Sequence, residues 1–310
     1  MNYAHIFNRV YCTPLAISAE GFRSVDAVLR PRLLGKVMLQ PDAKIPVAAP
    51  EAGTTRKKRA KATTVTQTDS NGRTTTTVTD QRLYGLVGPG VAQVPIYGIM
   101  ARNVSAFDEA CLGLVGYETI SAALQQADQA PEVQEIILDV DSCGGECIGT
   151  YELADLIAGL SKPTYGFTEG IAASAACQQI VQCDEVYATC SALMGSIGVK
   201  AAILDDSASL AADGLKMEYF TAGANKLHNG ADGYSLNDSD RALIQDRVDT
   251  YYAMFAASVQ AGRGNAVVEP LVQKSAKIYV GQQAVDAGLC DAIVSGFDEL
   301  VQLIVESRTA

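Results

Sequence analysis

The chain has 310 residues, 48% of them hydrophobic, with a formal net charge of −11, enough apolar content for one sizeable core or two small ones. No run approaches the roughly 18–20 apolar residues of a membrane span, and the N-terminus has no charged segment leading into an apolar stretch and cleavage site, so export and membrane anchoring are not expected. With only His5 and His228, histidine-based metal chemistry is excluded. The eight cysteines fit reduced thiols in a cytoplasm, and the Cys143/Cys147 pair has no second ligand pair for zinc.

The charge divides the chain. Residues 1–83 hold 13 Lys+Arg against 6 Asp+Glu, which leaves 11 against 29 for residues 84–310. Residues 1–52 read as a largely flexible N-terminal extension with a helix-like stretch near Ser24 to Leu34. Residues 53–83 read as a Thr-rich basic linker whose core, Lys57 to Gln81, lacks the apolar surface to offset its ordering entropy. Its basic run, Arg56 to Lys61, reads as solvated linker, and nucleic acid is not expected as a partner.

From Tyr84 to the C-terminus the pattern is α/β. Val91 to Met100 reads as a strand ending at a glycine, Tyr117 to Gln129 as an amphipathic helix, and Val133 to Asp141 as a buried strand. A helix from Ile148 to Leu160, a strand at Pro163 to Phe167, a helix from Ala172 to Val181 and a strand at Asp184 to Thr189 follow. Lys216 to Thr221 reads as a further strand, and the helix Ser239 to Gln260 and the C-terminal segment Asp298 to Val305 as candidate contact surfaces. The short alternation argues for parallel strands with right-handed crossovers. No phosphate-binding glycine motif follows any strand.

Two turns carry chemistry. Asp141-Ser142-Cys143-Gly144-Gly145-Glu146 leaves a buried strand through two glycines, where bare backbone N–H groups can form an oxyanion hole; an isolated Gly-Gly would be read as a plain turn. The next junction holds Ser174 among Ala172, Ala173, Ala175 and Ala176, small neighbours that let a peptide approach the hydroxyl. Taken alone, Ser174 would be a serine in a small-residue contact. As a nucleophile it needs a base, and neither histidine fits a triad. A lysine in a water-poor site can serve, because desolvation lowers its pKa. Of the body lysines (Lys162, Lys200, Lys216, Lys226, Lys274 and Lys277), Lys226 lies in a glycine-bearing segment that can fold over a site.

The blocks DSCGG, IAASAACQQIVQCDEVYATCSALMGSIGV, TAGANKLHNG and IYVGQQAVDAGLCDAI resemble, in this order, those of the signal peptide peptidase A family, serine proteases with a Ser-Lys dyad. The resemblance covers about Val91 to Leu303. It implies a ClpP/crotonase-like superhelix of β-β-α units, with Ser174 as nucleophile, Lys226 as general base, and Ser196 positioning the lysine. It also implies oxyanion donors at Gly144-Gly145 and Ala175, and no cofactor or metal. Asp141 and Cys143 depart from the family's Asn-Ser-Pro-Gly-Gly, and Ala175-Ala176 replace its glycines, which bears on the substrate pocket. The opening segment resembles that of prophage members that act as capsid assembly proteases. This implies protein substrates (scaffold, portal or capsid proteins), a homo-oligomer, and a place in the host cytoplasm within assembling proheads. A signal-peptide-degrading protease, an inactive structural head protein and a crotonase-type acyl-CoA enzyme are the alternatives.

Overall fold

A computed structural model describes residues 14–19, 21–23, 25–26, 63–68, 74–80, 82–105, 109, 113–227, 231–264 and 275–308. Two features lie N-terminal to the body: strand β1 (Leu15–Ile17) and an antiparallel hairpin of β2 (Thr63–Thr68) and β3 (Thr74–Asp80). The body opens with β4 (Gly85–Gly88), β5 (Val91–Tyr97), β6 (Ile99–Ala101), β7 (Leu114–Gly116) and helix α1 (Tyr117–Gln129). Next come β8 (Glu135–Asp141), β9 (Gly144–Glu146) and α2 (Thr150–Ala158), and then β10 (Thr164–Thr168), β11 (Ile171–Ala173) and α3 (Ala175–Ile180). The remainder is β12 (Glu185–Ala188), β13 (Leu193–Gly195), α4 (Ser207–Ala212), α5 (Asp238–Arg263), β14 (Ile278–Val280), α6 (Gln282–Asp286), β15 (Ala292–Ile293) and α7 (Phe297–Ser307).

The repeat is a β-β-α unit. Its first strands join one six-stranded sheet, ordered β15-β12-β10-β8-β5-β4, parallel except at the β4 edge. The second strands, with β1, β7 and β14, form two smaller sheets, β1-β9-β6-β7 and β11-β13-β14, which a Ser142–Ala172 bridge brings together. Each unit therefore turns a corner between layers, giving the superhelix of β-β-α units that the family resemblance implies. β8 runs EIILDVD and buries every residue but the last, as a central parallel strand covered on both faces should. One face packs on α1 through Ile120 and Leu124, α2 through Leu153 and Ile157, and α3 through Cys177 and Ile180. The other face, with Val91, Ile137 and Phe167, is closed by Leu300 and Ile304 of α7.

Several expectations change. Ala172 and Ala173 are strand, not helix: they pair with Met194 and Gly195 of β13, and α3 begins only at Ala175. Residues 216–221 form no strand and are exposed. The Gly-Gly turn leads into the short strand β9, and α2 starts five residues beyond Gly145. The expected tether contains the β2–β3 hairpin, because runs of β-branched Thr and Val favour extended backbone and pair with each other. The extension is not wholly loose either, since Leu15, Ala16 and Ile17 are buried in the β1–β9 ladder. Of the expected helix at Ser24 to Leu34, only Val25 and Asp26 fall within the described residues, and they are helical.

Candidate active site

Ser174 sits between β11 and α3, fully buried, at φ 58° and ψ −123°. That backbone region costs an L residue of order 1–3 kcal/mol and persists where surrounding bonds fix it. Here they do: Ala173 N donates to Ser142 O at 3.0 Å, Ser174 N to Gly195 O at 2.7 Å, and Gln178 N to Ser174 O at 3.0 Å. α3 is further held by a buried polar link, with the Gln179 side-chain amide donating to Thr150 O (3.0 Å) and Thr150 Oγ1 (2.7 Å). Ser174 Oγ faces Gly198 O at 3.5 Å. Ala175 opens the helix, where first-turn N–H groups have no intrahelical acceptor.

The glycine turn packs directly against this serine. Gly144 has φ +103°, and a Cβ there would stand 2.9 Å from Ser174 Cβ and 3.0 Å from Ala173 O. Its N–H donates to Ser142 Oγ at 3.2 Å. Gly145 lies between β1 and β6, and any side chain on it would overlap Met100 O. Cys143, beside this turn, is pushed up to about 11 by burial. It stays a thiol at neutral pH and does not rival the serine as a nucleophile.

Ser196 follows β13 in a φ of 55°, with its N–H on Lys277 O at 2.8 Å. Ser174, Ser196, Gly144 and Gly145, with Ala175 at the start of α3, thus belong to the same corner. Lys226 stands apart, on an exposed turn at the end of a stretch in which every residue from 211 onward is exposed. Among the described lysines, Lys200 shows a lowered pKa caused by desolvation. Its Nζ lies 3.4 Å from Ser18 O and 4.1 Å from the Phe22 ring centroid. Desolvation lowers its pKa to about 8, opposed in part by Cys143. Sequence spacing gave no sign of this, because its partners lie about 180 residues away. A cavity of about 570 Å³ between α2 and α5 is lined by Tyr151, Asn225, Asp246 and Met254 but not by Ser174.

Among the described residues, no group of His, Cys, Asp and Glu could hold a metal ion, and no helix is long and apolar enough to cross a membrane.

Residues 159–309 match Peptidase family S49. The chain is 33% identical to the capsid assembly protease C of Escherichia phage lambda, over 68% of this chain and 48% of that protein. It is 30% identical to the head-tail preconnector protein GP5 of Enterobacteria phage P21, over 71% and 43%. It thus spans about half the length of these relatives. Among solved structures, an enoyl-CoA hydratase from Shewanella pealeana superposes with a TM-score of 0.42 at 14% identity, covering 72% of each chain, a likeness too distant to bear on the chemistry. The matched region contains Ser174, Ser196 and Lys226, and the chain carries a peptidase family S49 domain.

Proposed function

We propose that this chain is a serine endopeptidase working by acyl transfer, with Ser174 as nucleophile and Lys226 as general base. The observation that carries the reading is Ser174 itself, a buried serine held in a strained turn against a glycine that tolerates no side chain. Lys226 takes the Ser174 proton, the oxygen attacks a peptide carbonyl, and the N–H groups of Gly145 and Ala175 stabilise the oxyanion. The amine leaves with the proton from Lys226, which then activates water for deacylation. Ser196 positions the lysine.

For Lys226, which is exposed, to serve Ser174, residues 211–226 would have to close over the corner. Leu215 (58% exposed), Met217 (46%) and Phe220 (94%) run through that stretch, an apolar strip that further copies of the chain would cover. Assembly and completion of the site are thereby linked. The two phage relatives support a role in head maturation, with internal head proteins as substrates inside proheads in the host cytoplasm. There, confinement supplies the effective concentration that affinity would otherwise have to provide.

Lys200 is a second candidate base, on the strength of its lowered pKa, although its amine faces Ser18 O. Comparing Ser174→Ala, Lys226→Ala, Lys200→Met and Ser196→Ala on a denatured head protein tests the assignment. The first two should abolish cleavage, Ser196→Ala should slow it, and Lys200→Met should leave it running. Cleavage surviving Lys226→Ala but not Lys200→Met would transfer the base role, and cleavage surviving Ser174→Ala would end the proposal. Co-expression with scaffold and capsid genes tests the role: the wild type should shorten at least one head protein, and Ser174→Ala should leave all intact.

A further inference from the structure

An extended peptide reaching Ser174 would have to run along the glycine turn, and residues 14–18 of the chain already do so. β1 lies antiparallel to β9, with Ala16 opposite Gly145 and Ile17 opposite Gly144. Ser18 N donates to Cys143 O at 2.9 Å and Cys147 N to Pro14 O at 3.3 Å. Bonded and non-bonded pairs alternate along an antiparallel ladder, so the Ala16–Gly145 pair between these two bonds is again a bonded one. The Ala16 carbonyl therefore faces the Gly145 N–H, the donor assigned to the oxyanion. Ala16 O and Ser174 Cβ both crowd the point where a Cβ on Gly144 would stand. On its other edge the segment is held too: Leu15 N donates to Lys200 O at 2.8 Å, and Lys200 N to Leu15 O at 3.0 Å.

We propose that Pro14–Ser18 is a built-in occupant of the peptide cleft, bound as a substrate strand with Ala16 preceding the bond presented to Ser174, and that it must leave before another peptide is cut. The proposal rests on the reading of Ser174 and Gly145 given above. Strand addition supplies backbone bonds, and side-chain room supplies selectivity. Ala16 is 1% exposed, with Leu15 and Ile17 at 6% and 7%. The cleft is therefore fitted to an extended peptide with a small residue before the cut and aliphatic residues on either side of it. Tethering makes the chain's own strand a competitor at high effective concentration, so a free peptide binds with an affinity reduced by the fraction of clefts already filled.

The test uses a fluorescent peptide of residues 12–20 and chains carrying Ser174→Ala, so that nothing is cleaved. Adding Ala16→Glu, which places a charge where no water reaches, should expel the tethered strand and tighten peptide binding by about tenfold or more. Equal binding to both chains, or to neither, overturns the proposal. A measurement needing no second substitution is hydrogen exchange in the Ser174→Ala chain: saturating peptide should release protection at the amides of Ala16 and Ser18, and unchanged protection also overturns it. In chains retaining Ser174, Ala16→Glu should speed fluorophosphonate labelling by a similar factor. Tighter peptide binding with no labelling in either chain would uphold the occupancy while removing the serine chemistry.

Discussion

Gly144 and Ser174 meet so closely that a Cβ on the glycine would stand 2.9 Å from the serine Cβ. The glycine also holds φ at +103°, where an L residue is strained by roughly 1–2 kcal/mol before any clash is counted. Gly144→Ala should therefore lower stability by about 2 kcal/mol or more and displace Ser174, abolishing fluorophosphonate labelling. Thermal unfolding and labelling of the same preparation check this. A variant with unchanged melting temperature and labelling would show that the two backbones are not packed as described.

Ser174 holds a conformation that suits glycine, so function and stability should separate there. Ser174→Gly should remove every trace of cleavage while holding or raising stability, by about 1 kcal/mol if the strain is released in full. Chemical denaturation of the two chains gives the comparison. A loss of more than about 1 kcal/mol would mean that the hydroxyl, not the turn, stabilises this corner.

Phe220 is 94% exposed and lies six residues before Lys226. If copies of the chain cover this strip, Phe220→Asp should shift the protein to smaller species in light scattering at micromolar concentration and depress cleavage in parallel. A wild-type chain that scatters as a monomer would remove the link between assembly and the site.

Burial pushes the Cys177 thiol from 9.0 up to about 12. In the unfolded chain the thiol ionises above about pH 9, while the folded chain keeps its proton until about pH 12. Between those values the folded state binds more protons, so the stabilising contribution is complete below pH 9 and is lost as pH rises. One such group contributes a slope of about 1.4 kcal/mol per pH unit. Cys177→Ala should flatten the alkaline decline by that amount, with Cys147 and Cys183, both also raised by burial, sustaining the rest. Denaturation series from pH 8 to 11 would show it, and parallel curves would place the thiol in contact with water.

The strand–helix alternation and the two turns that carry chemistry were legible in the residues, while the short second strands of the repeat were not. The apolar, β-branched run EIILDVD reads as a central strand, the 13-residue helix at Tyr117–Gln129 follows from its periodicity, and Gly144-Gly145 marks a place where the chain turns sharply. Local pattern could not show that Ala172 and Ala173 are strand, because alanine suits either state and the choice rests on pairing with Met194 and Gly195. Nor could it show that Leu15–Ile17 pair with the strand that follows the glycine turn, that Lys200 is desolvated beside Ser18 and Phe22, or that Lys226 stays exposed. Each of these depends on which distant segment arrives beside the residue. Backbone pairing and desolvation are properties of neighbours in space, and only the tertiary structure supplies them.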